Sequence, residues 1–283
     1  MKKVSFLLIT FITIFAASTQ AQDLNLPQPS PWAQVSQKFG MAKATITYSR
    51  PGVKGRKIFG NVVPFNEIWR TGANQCVLFT LEGNNLMINN TKINAGTYSI
   101  FTIPGENEWT IIINKNTELW GTGGYKQEED IMRFNVKPVN NPMTESFTID
   151  FANVKDKSTT VQLYWENTKV SFDIVNDYVD EGMKQIQDAI ANAENTMNLY
   201  NDAAEYYLDN NLDSKLALEW AKKSAAQKER YWNLYTLARA YAANGMKKEA
   251  IETANKSLTL ANEAKNTGFA LTITKSLDEW NKM

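Results

Sequence analysis

The 283-residue sequence contains no histidine. That removes the commonest general base and the commonest metal ligand. It contains one cysteine, Cys76, so no disulfide can form within the chain. Without a histidine to pair with, Cys76 reads as a small half-buried hydrophobe and not as a nucleophile. There is no charge excess either: thirty Lys and Arg balance thirty Asp and Glu. The electrostatic footprint of a nucleic-acid binder is therefore missing. Composition is ordinary for a globular chain, with 43% hydrophobic and 21% charged residues. A disordered chain, a collagen-like repeat and a disulfide-stapled miniprotein are excluded.

No apolar run is long enough to span a bilayer comfortably. The run that does exist sits at the start, where Met1, Lys2 and Lys3 precede Val4 to Ala17. A basic head followed by a short apolar stretch is the pattern of a secretory signal peptide. Small residues at Thr19 and Ala21 predict cleavage after Ala21. Taking Lys2 and Lys3 from the thirty basic residues leaves 28 against 30 acidic ones, a slightly negative mature chain. The expectation is a periplasmic or secreted protein with no transmembrane segment after cleavage, held together by its core and not by disulfides.

Two burial rhythms divide the rest of the chain. Residues 22–34 carry the PQPSP stretch and read as an extended lead-in. From 35 to 175 the dominant period is two. It shows at Ala44, Ile46 and Tyr48, at Trp109, Ile111 and Ile113, at Phe147, Ile149 and Phe151, and at Val161, Leu163 and Trp165. Turn signals punctuate it, among them Asn89-Asn90, Pro104-Gly105 and Asn167-Thr168. Nine or ten short strands without an amphipathic helix between them predict an antiparallel β-sandwich or jelly-roll-like domain.

From 176 the period is 3.6, with Val179, Met183, Ile186 and Ile190 on one face and Asn176 or Asp177 as the cap. Asp213 reads as a second cap and Gly245 as a helix end. Ile273, Leu277 and Trp280 share one side of the last helix. Leu234, Leu237, Ala238, Tyr241, Gly245, Ala250, Ala254 and Ser257 stand at the offsets of a tetratricopeptide repeat. A weaker copy 34 residues earlier starts at Tyr200, Ala203, Ala204 and Tyr207, with Asn211 in place of the turn glycine. A C-terminal α-helical hairpin domain over 176–283 is expected, and it offers a surface for a protein or peptide partner. Tyr206, Lys222, Arg230 and Asn233 are candidates for that surface.

The segment from Tyr48 to Gln75 breaks the strand rhythm for about 25 residues, a length at which loops are often functional. It concentrates Arg50, Arg56, Trp69, Arg70 and Asn74, which are the candidate ligand-binding residues. A guanidinium beside an indole suits a small anionic or sugar ligand. The same residues suit an architectural role, with Trp69 as a core anchor and Arg70 bonded to carbonyls or to Glu67. Trp109, Trp120, Trp165 and Tyr98 read as core before they read as a sugar platform. Gly121–Gly124 lacks the lysine and hydroxyl of a phosphate loop and reads as a turn. Glu128, Glu129 and Asp130 are adjacent, so they cannot converge on one ion and read as a solvated face. No cofactor motif, metal ligand set or catalytic pair is nominated.

The stretches YSRP (48–51), GR (55–56), VPF (63–65), WRTGAN (69–74), AGTYSIFTIPG (95–105) and EWTIIINK (108–115) resemble the DUF2911 family, exported bacterial proteins of unknown function. The resemblance covers about residues 30 to 175. It implies a periplasmic or outer-surface setting and a helical tail with TPR-like repeats, to which 206–224 and 245–258 are similar. Gln75 and Cys76 stand where the family more often has Glu and Ala, which argues further against a catalytic Cys76. The reading is an exported, non-catalytic binding or scaffold protein of the cell envelope. The alternative is a hydrolase of carbohydrate or peptide with its site in the loop 48–75, working through carboxylate or Ser/Lys chemistry.

Overall fold

A computed structural model describes residues 26–192 and 196–282. The signal-peptide reading lies outside the described residues. Ten strands come first: β1 (Trp32–Phe39), β2 (Ala42–Ser49), β3 (Val77–Glu82), β4 (Leu86–Ile88), β5 (Thr91–Ile93), β6 (Gly96–Ile103), β7 (Trp109–Asn114), β8 (Asp130–Val136), β9 (Val139–Ala152) and β10 (Ser158–Asn176). Six helices follow: α1 (Val179–Asn192), α2 (Met197–Asp209), α3 (Ser214–Gln227), α4 (Tyr231–Ala243), α5 (Lys247–Glu263) and α6 (Thr267–Lys282). Between β7 and β8 lies one short 3-10 turn, Gln127–Glu129.

The strands form two antiparallel sheets, one ordered β1-β2-β3-β6-β7-β8 and the other β5-β4-β10-β9. Their facing sides make one core that takes Ala44, Ile46 and Tyr48 from β2 and Trp109, Ile111 and Ile113 from β7. The second sheet supplies Phe147, Ile149, Val161, Leu163 and Trp165. Alternation puts every second side chain of a strand on the core face, so the period-two runs read in the sequence are the core runs. A smaller cluster of Cys76, Phe101 and Ile112 sits on the outer face of the larger sheet, under Leu119 and Tyr125. Burial there pushes the Cys76 thiol up, and its Sγ donates to the Thr117 carbonyl.

Asn89 and Asn90 both have positive φ, 45° and 62°. That is what a two-residue hairpin turn between β4 and β5 requires. Asn167-Thr168, in contrast, is no turn. β10 runs 19 residues through it, with register shifts against β9 on both sides of Glu166. Glu166 has φ 52°. A bulge interrupts alternation as a turn does but keeps the strand direction. The lead-in also ends early, because Trp32 already pairs with Ser49.

Asn176 does not cap α1. It is fully buried, where it accepts from the Met41 N–H and donates to the Asn84 carbonyl, both at 2.7 Å. The first helical bond of α1 runs from Gly182 N–H to the carbonyl of Tyr178, so Tyr178 holds the cap position. Asp213 does cap α3, accepting from the N–H groups of Lys215 and Leu216.

The helices pack as successive hairpins, α2 on α3 and α4 on α5, with α3 against α4 and α6 on α5. Ala203, Ala204, Ala217, Ala221, Ala238, Ala250 and Ala254 have no exposed surface. Side chains this small let neighbouring helices approach closely. Ile273 and Leu277 are buried and Trp280 packs beside them.

Candidate functional site

The loop 48–75 is stitched to both sheets. Phe147 N–H donates to the Pro51 carbonyl and Val53 N–H to the Glu145 carbonyl, which ties its first leg to β9. Trp69 and Thr102 exchange backbone bonds of 2.8 and 3.0 Å, which ties its last leg to β6. Between them the chain doubles back at Gly60, whose φ is 81° and whose missing Cβ would lie 2.6 Å from the Phe65 ring. The loop thus closes one end of the sandwich as a strap.

Hydrophobicity explains why it lies down. Ile58, Phe59, Val63 and Trp69 are buried in the main core. The Trp69 ring stacks on Trp165 with centroids 6.0 Å apart and planes 16° apart. Edge contacts join it to Phe59, Trp109 and Phe147. Its indole N–H donates to the Gly72 carbonyl at 3.2 Å. Trp109 and Trp165 are therefore core side chains, whereas Trp120 is 74% exposed.

The five candidate residues separate into two groups. Arg50 is a latch: its Nε donates to the Phe147 carbonyl at 3.1 Å and its Nη2 to Thr148 Oγ1 at 2.7 Å. Asn74 Nδ2 donates to the Ser30 carbonyl and to Ser49 Oγ, which holds the lead-in down. Neither lines the cleft that the other three share. Arg56, Trp69 and Arg70 all line it, a cavity of about 390 Å3 between the strap and the lead-in. Its lining includes Pro29 and Ser30 from the lead-in, Lys54, Val62, Val63 and Trp69 from the strap, and Trp165 from β10. Sequence reasoning missed Lys54 and the lead-in residues, since neither carries a motif.

Arg56 spends its Nε on the Val53 carbonyl and its Nη2 on the Gly52 carbonyl. Arg70 differs. Its Nε is buried and has no hydrogen-bond partner. It forms no ion pair with a described residue, and Glu67 is exposed and does not reach it. A buried charged N–H without a partner costs at least about 1–3 kcal/mol, and such groups in native proteins call for an explanation. No carboxylate lines the cleft. Glu145 stands just outside it, where Oε1 accepts from the Lys54 N–H at 2.9 Å. The cleft is thus cationic at Lys54, Arg56 and Arg70, and apolar where the indoles lie. An unpaired guanidinium in such a place is disposed to receive an anion.

Two other expectations shift. Asp130 is not part of a solvated face: its carboxylate is 8% exposed. It accepts from Asn114 Nδ2 at 2.8 Å, from the Tyr125 hydroxyl at 2.7 Å and from Arg133. In the helical part, Asn233 is fully buried, donating to Ser224 Oγ and the Lys228 carbonyl. Tyr206 packs on the start of α1 and donates to the Val179 carbonyl at 3.0 Å. Lys222 lies over the Tyr241 ring, and Arg230 is exposed.

Among the described residues, no helix is long and apolar enough to cross a membrane. No curated protein and no solved structure matches the chain. One family model does, described as a protein of unknown function (DUF2911), over residues 30–174. That span takes in the strap, the cleft lining except Pro29, and both sheets up to the last two residues of β10, and it is just over half of the chain, which therefore belongs to the DUF2911 family.

Proposed function

We propose that this is an exported, non-catalytic binding protein of the bacterial cell envelope. Its β domain takes a small anionic ligand in the cleft under the strap, and its helical hairpins dock a protein or peptide partner. The observation that carries the first part is the Arg70 Nε, buried without a partner in a cleft whose lining holds three cations and no acid. Anions that accept from a guanidinium fork supply the missing bonds. The hydrolase alternative has less support, because the cleft lining supplies no pair of carboxylates.

The helical part is read as TPR-like from its period. Asn210, Asn211 and Leu212 close α2 with N–H bonds to the carbonyls of Tyr206, Leu208 and Tyr207. Asn244, Gly245 and Met246, each 34 residues on, close α4 with the same bonds to Ala240, Ala242 and Tyr241. A recurring turn at fixed spacing is the mark of stacked repeats, and such stacks bind partners along their length.

Calorimetric titration of the protein with small organic and inorganic anions tests the ligand reading. At least one anion binds, and Arg70→Gln weakens it ten-fold or more while the fold is retained. Unchanged affinity in that variant rules the cleft out as the binding site. N-terminal sequencing of the protein recovered from the envelope fraction tests export; the expected first residue is Gln22.

A further inference from the structure

The cleft has two chemically different halves, and together they specify more than charge. On the cationic side, Arg56 has two of its donors already committed to carbonyls. Arg70 Nε has no hydrogen-bond partner, and neither Arg70 nor Lys54 forms an ion pair with a described residue. The apolar part of the lining comes from Val62, Pro29 and Ala73, with the largely buried stacked indoles of Trp69 and Trp165 beneath. Val62 stays 40% exposed although it is β-branched and apolar. Nothing among the described residues covers it.

A hydrated inorganic anion would satisfy Arg70 but would leave Val62 and the apolar lining beside it facing water. A neutral sugar would meet the apolar lining but would bring no charge to the guanidinium. The volume argues the same way. About 390 Å3 falls within the 300–1,000 Å3 of small-molecule sites and is many times the roughly 30 Å3 share of a water. We infer that the ligand is an organic anion, a compact carboxylate or phosphate head on an apolar body, with the head on Arg70 and Lys54 and the body against Val62, Pro29 and the small accessible part of Trp69. This inference rests on the anion-binding reading and narrows it to a class. The guanidinium fork fits both head groups, so the shared feature is the pairing of head and body.

The test uses the protein with both modules, four anionic probes (acetate, benzoate, inorganic phosphate and phenyl phosphate) and one neutral one, benzyl alcohol. Benzoate is expected to bind at least ten-fold tighter than acetate, and phenyl phosphate at least ten-fold tighter than phosphate. Arg70→Gln lowers the affinity for all four. Val62→Ser, at an exposed position where folding is not at stake, weakens the aromatic probes several-fold and leaves acetate and phosphate unchanged. The stronger aromatic probe shows which head group is preferred. Equal binding of aromatic and small anions, still dependent on Arg70, overturns the ligand class and leaves the anion reading standing. Binding of benzyl alcohol as tightly as benzoate overturns both, as does binding of none of the probes.

Discussion

Gly182 lies under Tyr206 so closely that a Cβ at position 182 would fall 2.1 Å from the Tyr206 hydroxyl oxygen. That hydroxyl donates to the Val179 carbonyl at 3.0 Å, and the Tyr206 ring is 6.3 Å from that of Tyr178. Tyr178 in turn touches Gly40, where a Cβ would lie 2.7 Å from its ring. Asn84 Nδ2 donates to Glu181, and Asp177 N–H to the Asn85 carbonyl. The joint between the sheets and the helices is therefore a packed surface. Gly182→Ala must displace the Tyr206 ring and is expected to cost about 1–3 kcal/mol, as overpacking does. Tyr206→Phe loses only the hydroxyl bond, about 1 kcal/mol. Urea unfolding followed by far-ultraviolet circular dichroism measures both, and an alanine variant as stable as the parent contradicts the packing.

Alkaline pH attacks the same joint. Burial and nearby acidic groups push the Tyr206 hydroxyl up to about 12. Burial and a hydrogen bond to Asp150 push Tyr164 up to about 12 as well. Because the folded values lie above the ordinary 10.0, the folded state favours the neutral phenols. Their contribution is complete below pH 10 and is lost as pH rises through the folded values near 12. Thermal unfolding against pH should therefore show a fall over that window. The fall should be smaller in Tyr206→Phe combined with Tyr164→Phe.

The helix ends give a prediction about backbone strain alone. Asn211, Gly245 and Lys265 take up φ values of 52°, 74° and 56° at three equivalent turns. Nothing lies within 4 Å of a Cβ at Gly245, so Gly245→Ala meets no clash and only the left-handed penalty, about 1–2 kcal/mol. Lys265→Gly is expected to do the reverse and stabilise by roughly 0.5 kcal/mol. Melting temperatures that move in the same direction for the two variants would refute the assignment.

Arg50 and Arg70 should respond in opposite ways to removal of their charge. Arg50→Met breaks two bonds to β9 and is expected to destabilise by about 1.5–3 kcal/mol without changing anion affinity. Arg70→Met removes a buried donor that has no partner. It is expected to be neutral or stabilising and to abolish anion binding. Denaturation and titration of both variants check this, and a large loss of stability in Arg70→Met would make that residue architectural.

Some of this protein is written in its sequence alone. Alternation at Ala44, Ile46 and Tyr48 and at Trp109, Ile111 and Ile113 determined the core faces, because a strand alternates its side chains whatever surrounds it. The small residues at 203, 204, 217 and 221 likewise announced helix contacts, since packing of that kind repeats at helical spacing. The strap motifs brought Trp69 and Arg70 forward together but did not separate their roles. Tertiary structure decided that Trp69 goes to the core, that Arg50 and Asn74 hold other segments, and that Arg70 is left without a partner. It also turned the expected Asn167-Thr168 turn into a bulge and moved Asn176 from a helix cap to the joint between domains. Hydrogen-bond partners for these residues lie as far as 135 positions away. Local pattern sets which face a side chain leaves from, and only the folded chain sets what waits for it there.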